Sequence, residues 1–263
     1  MPLRVLITGS AGRLGRAAVA ELVARGHHVI GFDRVPTPGL SESIVANVTD
    51  AAALEAAAVD VDCLIHLAAS PDDAKFPRGS PPDDGDNFLS ELVPNNVIGP
   101  YYVMEAARKE NVGRVILAST GQVVEGHLHA GRIPVNGSTP PDPRYLYAST
   151  KVFLEALGHV YAKQHGMTVL AVRLGWCPRD PGQVSEIRNS ELGQDVYLSP
   201  NDAGRFFAST VEAVALPSFA IVYATSQPLH RVRYDLAETM QLIGYAPQEQ
   251  WPTGSAEFGT VSR

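Results

Sequence analysis

Arg4-Val5-Leu6-Ile7-Thr8-Gly9-Ser10-Ala11-Gly12-Arg13-Leu14-Gly15 is the stretch on which the reading of the fold rests. The apolar residues that follow Arg4 predict a strand over 4–7. Three glycines spaced G-x-x-G-x-x-G come next, then an amphipathic helix over 14–25. Glycine permits a positive φ and lets the backbone approach a pyrophosphate. The start of the helix offers that anion unpaired N–H groups and the positive end of its dipole. A second strand, 28–32, leads to Asp33, 18 residues beyond Gly15. A carboxylate there accepts hydrogen bonds from an adenosine ribose and repels a 2′-phosphate. The set points to a bound dinucleotide, with NAD ahead of NADP. Arg34 and Arg13 stand close enough in the chain to meet a 2′-phosphate, which keeps NADP as the second expectation.

Outward from this stretch, short β-branched runs alternate with longer helical patterns. Strands are predicted over 4–7, 28–32, 43–46, 63–67, 114–118, 168–172 and 220–223, and helices over 14–25, 50–58, 96–111, 147–165, 200–215 and 234–243. This alternation predicts an α/β fold: a Rossmann-type doubly wound parallel sheet with a small C-terminal substrate-binding portion. Residues 1–263 are expected to form one domain. Three segments break the rhythm, 70–86, 126–144 and 176–196, and each follows a strand. They belong at the carboxyl edge of the sheet, where open α/β folds bind ligands. Together with 224–263 they are the expected substrate side.

The chain has 263 residues, 45% of them hydrophobic and 19% charged, which excludes an intrinsically disordered chain. Its net charge of −7 argues against a nucleic-acid partner. Two cysteines exclude a disulfide-rich scaffold. No run reaches the ~20 apolar residues of a membrane span. The N-terminus runs straight into a strand without a basic leader and cleavage site, so a cytoplasmic protein is expected.

Tyr147 and Lys151 lie at i and i+4, adjacent on one helix face. A phenol with a pKa near ~10 is a poor base at neutral pH, and a neighbouring ammonium favours its ionised form. Such a tyrosine can take a proton from a substrate hydroxyl or return one to a carbonyl. Upstream, the strand 115–118 leads into Ser119-Thr120-Gly121. Either hydroxyl at that strand end can hydrogen-bond the reacting oxygen, with Ser119 and Thr120 both candidates.

With these residues in place, the chain resembles the short-chain dehydrogenase/reductase superfamily, in its extended epimerase/dehydratase-like branch. The resemblance rests on Thr8-Gly9-x-x-Gly12-x-x-Gly15, Asp33, His66-Leu67-Ala68-Ala69, Asn96-Val97-Ile98-Gly99, Ser119-Thr120, Tyr147-x-x-x-Lys151 and Val172-Arg173-Leu174-Gly175. It implies that Gly9, Gly12 and Gly15, with Arg13 and Leu14 in the same loop, cradle the pyrophosphate. Asp33 and Arg34 would meet the adenosine ribose, and Asn47 and Val48 the adenine edge. Leu67, Ala68 and Ala69 would wall the cofactor, Asn96 would support the active-site helix, and Ser119 would lie beside the cofactor. Thr120 would orient the substrate, Tyr147 would be the acid/base, and Lys151 would bind the nicotinamide ribose and depress the tyrosine pKa. Ser70, Gly121 and Gly175 are expected at the substrate. About 40 residues follow the last predicted strand, too few for a large nucleotide-sugar lobe. The compact uronate dehydrogenases are the branch most similar, through Arg173-Leu174-Gly175-Trp176-Cys177-Pro178 and Tyr197-Leu198-Ser199-Pro200-Asn201-Asp202. A hexuronate carboxylate needs a cation, and Arg188 is the candidate.

The expected activity is hydride transfer between a nicotinamide cofactor and a sugar-type hydroxyl or carbonyl. A sugar epimerase/dehydratase or carbonyl reductase is the alternative on the same machinery. A non-enzymatic NAD(P)-sensing protein is the alternative of another class. Apolar faces on helices 96–111 and 147–165 lead to an expected homodimer. His127 and His129 form an H-x-H near Asp142 without a ligand-spaced carboxylate, and no metal is expected. The acidic run Asp72, Asp73, Asp83, Asp84 and Asp86 lacks the alternation of a calcium loop. There is no G-x-S-x-G elbow, and Cys177 reads as a packed thiol.

Overall fold

The computed structural model describes residues 1–71 and 87–256. Most of loop 70–86, including its aspartates, and the tail from 257 lie outside the described residues. Seven strands form one sheet: β1 (Arg4–Thr8), β2 (His28–Asp33), β3 (Ser43–Val45), β4 (Cys63–His66), β5 (Arg114–Thr120), β6 (Thr168–Leu174) and β7 (Phe219–Ala224). Their order is β3-β2-β1-β4-β5-β6-β7, and every pairing is parallel. The direction of winding reverses between β1 and β4, so the crevice at their carboxyl ends is the switch point where such sheets bind ligands.

The central strands β1, β4, β5 and β6 are almost wholly buried because helices cover both faces. Val5, Ile7, Ile65, Ile116 and Val172 project to one side, against α1 (Arg13–Ala24) and α8 (Pro200–Glu212). Leu6, Leu64, Leu117 and Val169 project to the other, with Val103 and Met104 of α3 (Gly99–Lys109) and Leu154 of α5 (Leu146–His165). This alternation is the period of two of a strand. Between β3 and β4, α2 (Ala51–Ala57) starts at Asp50, whose carboxylate accepts from the Ala53 N–H.

The expected elements are all present, with shifted ends. β5 and β6 each run two residues further than expected, which brings Ser119 and Thr120 into the strand itself. The helix expected over 96–111 begins earlier, as two π-helical turns, Phe88–Leu92 and Pro94–Ile98. Pro94 lacks the N–H that an α-turn uses, and the chain winds wider there. The aperiodic segments contain short helices: α4 (Glu125–His129), α6 (Pro181–Arg188) and α7 (Glu191–Asp195). Asp180 and Ser190 cap the last two through Gln183 N and Gly193 N, with Pro181 at the first helical position.

After β7 the chain is pinned by two buried carboxylates. Asp195 accepts from His230 N and Arg231 N and pairs with Arg233 at 2.8 Å. Asp202 accepts from Gln248 N, Glu249 N and the Ser226 hydroxyl. The last helix among the described residues is α9 (Ala237–Ile243), which starts later than the expected 234 because Tyr234 bridges to Val135 instead. No helix among the described residues is long and apolar enough to cross a membrane.

Candidate active site

β1 delivers the chain into the glycine loop at the switch point. Gly9 has φ +74°, and a Cβ there would stand 2.6 Å from Ala68 N and 2.8 Å from the Leu67 carbonyl carbon. The loop therefore lies directly on the backbone leaving β4, a packing only glycine allows. A side chain at Gly15 would run into Ser10 Cα at 2.6 Å, and one at Gly12 would meet Gly9 O at 3.1 Å. Gly12 is the N-cap of α1, and no side chain caps the helix there. The N–H groups at the helix start are thus left without a side-chain cap, the arrangement that suits an anion.

Asp33, at the end of β2, accepts from Ala11 N at 3.0 Å and so fixes the loop from the side. Arg34 beside it is exposed. Arg13 reaches across to the Cys177 carbonyl at 3.3 Å, and Leu14 packs on the α1-side core. The Asn47 side-chain oxygen accepts from Thr49 N and Oγ1, both 3.1 Å, in a tight turn. Val48 is buried against Gly99. Beyond β4, Leu67 and Ala68 are half-buried and Ala69 is exposed. Asn96 grips the next residue with both ends of its amide: Ser70 N donates to it and Ser70 O accepts from it, each at 2.8 Å. The Ser70 hydroxyl donates to Glu91 at 3.0 Å.

The catalytic candidates converge from β5 and α5. The Lys151 ammonium donates to Ala118 O at 2.8 Å and lies 5.5 Å from the centre of the Tyr147 ring. Lys151 is buried, and desolvation lowers its pKa to about 8. Thr120, on the next strand position but one, is half-buried, and its hydroxyl oxygen accepts from Gln122 N at 3.3 Å. Ser119 faces the other way. Its hydroxyl donates to Glu155 at 2.6 Å in the interior. The pleat thus separates two hydroxyls that the sequence leaves as equals.

Other expected positions lie further out. The face of Gly121 is covered by Tyr234, whose Cζ would stand 2.6 Å from an added Cβ. Gly175 N donates to Ala224 O at 2.8 Å, and Thr225 Cγ2 would lie 2.8 Å from a Cβ there. Arg188 is exposed in the last turn of α6, beside buried Ile187. His127 is engaged by Pro140 O and Arg132, and His129 by Glu125. No group of three or more metal-ligating side chains occurs among the described residues.

Three buried polar residues near these positions received no role from the sequence, although His66 and Arg173 lie in stretches that carry the resemblance. Glu155 and Arg173 form an ion pair at 2.9 Å under the strand ends. His66 shares a 2.7 Å hydrogen bond with Thr8, and burial, with Lys151 nearby, lowers its pKa to about 3, so the imidazole is neutral. A charged residue one turn after Lys151, on the buried helix face, is the signal that could have revealed Glu155.

Comparison with known proteins gives the family. L-arabinose 1-dehydrogenase (NAD(P)(+)) of Haloferax volcanii is 32% identical over 95% of this chain and 98% of its own length. A uronate dehydrogenase of Agrobacterium fabrum is 26% identical over 80% of this chain and 71% of its own. The crystal structure of glucuronic acid dehydrogenase from Chromohalobacter salexigens superposes with a TM-score of 0.75 at 25% identity, covering 100% of this chain and 92% of that one. The profile of the NAD dependent epimerase/dehydratase family matches residues 5–176. With the glycine cradle, Asp33 and the Tyr147–Lys151 pair all inside that span, the chain belongs to the NAD-dependent epimerase/dehydratase family.

Proposed function

We propose that the protein oxidises the anomeric hydroxyl of a free hexuronic acid, using NAD. The observation that carries this reading is the Tyr147–Lys151 pair docked on β5 through Ala118 O, two residues before Thr120. Gly9, Gly12, Gly15 and the start of α1 would hold the pyrophosphate, with Arg13 and Leu14 in the same turn. Asp33 would take the adenosine ribose and favour NAD over NADP, with Arg34 beside it. Asn47 and Val48 would border the adenine. Leu67, Ala68 and Ala69 would wall the nicotinamide side. When bound, an oxidised nicotinamide would supply the hydride acceptor for an oxidation that leaves a lactone. Thr120 would orient the substrate hydroxyl, and the Tyr147 phenolate would take its proton. The Lys151 ammonium stabilises the phenolate and binds the nicotinamide ribose. Arg188 pairs with the substrate carboxylate.

A neutral aldose is the second reading, favoured by the match to the L-arabinose enzyme over nearly the whole chain. The proposed setting is the cytoplasm. The chain would act as one domain and as a homodimer joined through exposed Tyr101, Phe153 and Val160 of α3 and α5. The test is turnover of glucuronate, galacturonate and L-arabinose with NAD and NADP, followed at the reduced-nicotinamide absorbance. Accumulation of reduced cofactor with a uronate supports the reading. Sugar interconversion without net reduction would move the protein to the epimerases. Cofactor binding with no chemistry on any sugar would favour a sensor.

A further inference from the structure

Across β5, β6 and β7 one cross-strand row carries Ser119, Arg173 and Tyr223 as register partners. The row lies one residue short of the strand-end row that holds Thr120. Glu155 of α5 is set against it. Its carboxylate accepts from Arg173 Nε and Nη2, both 2.9 Å, and from the Ser119 hydroxyl at 2.6 Å. The last guanidinium nitrogen, Nη1, donates to Tyr223 Oη at 2.9 Å and to Thr139 O at 3.1 Å. The Tyr223 hydroxyl in turn donates to Asn136 O at 3.3 Å.

Every member of the row is buried, and the ion pair is fully satisfied. Stability alone does not account for it, because apolar residues of similar volume commonly replace such pairs without loss. What the pair does that an apolar core does not is fix directions. A bidentate guanidinium–carboxylate contact sets both partners' orientation. Glu155 lies four residues beyond Lys151 and eight beyond Tyr147, on the same helix face. Ser119 adjoins Thr120. Asn136 and Thr139 belong to the segment 130–144, which carries no helix or strand of its own.

We infer that Glu155, Arg173 and Tyr223 are positioning residues that tie the 136–139 backbone, on the substrate side, to the catalytic strand and helix. The inference rests on the proposed sugar oxidation and adds the coupling between loop and catalytic pair. The 136–139 backbone is thereby registered against the helix that carries Tyr147, through Arg173 and Glu155.

The test uses two variants of the full-length protein. Tyr223→Phe leaves the ion pair intact and removes the bridge to Asn136 O. It should raise the sugar KM fivefold or more, keep NAD affinity within twofold, and speed amide exchange over 136–144 tenfold or more. Glu155→Gln should lower kcat tenfold or more, with NAD affinity again retained. If Glu155→Gln does not fold, Tyr223→Phe decides alone. Wild-type KM and wild-type exchange in folded Tyr223→Phe overturn the coupling. An inactive wild-type protein would instead defeat the sugar-oxidation reading, and the exchange measurement would still test the coupling.

Discussion

Burial holds Lys151 at about 8, so its charge is lost at mildly basic pH. The form that stabilises a phenolate and binds a ribose is the cation. The sign follows: below about pH 8 the cation is present in the free protein, and as pH rises through that value it disappears. The kcat/KM profile should therefore fall on its basic limb near pH 8, since kcat/KM reports the groups of the free enzyme. Lys151→Arg keeps the charge and should move that limb beyond the measurable range, at reduced kcat because a guanidinium does not place a point charge. A limb that stays near 8 in folded Lys151→Arg would assign the titration to another group. Tyr147→Phe should lose about 10²–10⁴-fold in kcat while calorimetry shows NAD bound as in the wild type. At this scale Tyr147 and Lys151 were legible because their partnership is local, four residues apart on one helix. Ser119 and Thr120 were not separable, because only the strand register decides which hydroxyl faces Glu155. Glu155 and Arg173 were hidden because their partnership joins a helix to a strand 18 residues on.

Among the elements, the glycine loop depends on close approach and the third loop on exposure, and each gives a prediction. Gly9→Ala forces a Cβ to 2.6 Å from the Ala68 backbone at a φ of +74°. Neither side can yield, because both are backbone. The variant should lose about 2 kcal/mol or more, a fall in Tm of roughly 4–8 °C, and should bind NAD at least tenfold more weakly. Wild-type NAD affinity in Gly9→Ala would show that the cradle does not carry the pyrophosphate. Arg188 stands exposed at the end of α6. If it pairs with a substrate carboxylate, a charged hydrogen bond of about 1.5–3 kcal/mol is lost in Arg188→Ala. The KM for glucuronate should then rise tenfold or more while that for L-arabinose stays put. Equal effects on both sugars would remove Arg188 from carboxylate recognition. The long elements were legible from periodicity, α1 and α5 to within a residue at their starts. α6 and α7 span only eight and five residues, too few turns for an apolar period to show. Their caps, Asp180-Pro181 and Ser190, are local signals that went unread.

For the molecule as a whole, the order β3-β2-β1-β4-β5-β6-β7 puts the groups proposed to hold cofactor on both halves of the sheet. The glycine loop and Asp33 belong to β1 and β2, and Lys151 is anchored on β5 through Ala118 O. This winding was legible because strands and helices alternate along the chain, whereas the tie between 136–139 and the sheet arises only on folding. A ligand that spans the switch point binds only when both halves are in place, so it should stabilise the native state by linkage. At a free concentration of one hundred times Kd the gain is about 2.7 kcal/mol. For a chain of this size that is a rise in Tm of roughly 5–10 °C. If Asp33 takes the adenosine ribose as proposed, NADP at the same concentration should raise Tm less, because a carboxylate there repels a 2′-phosphate. In Asp33→Ser the difference between the two cofactors should shrink or reverse, with exposed Arg34 left to meet the phosphate. Scanning calorimetry with each cofactor, on both proteins, measures this directly. A Tm unmoved by either nicotinamide nucleotide would mean that the cradle at β1 serves some other anion.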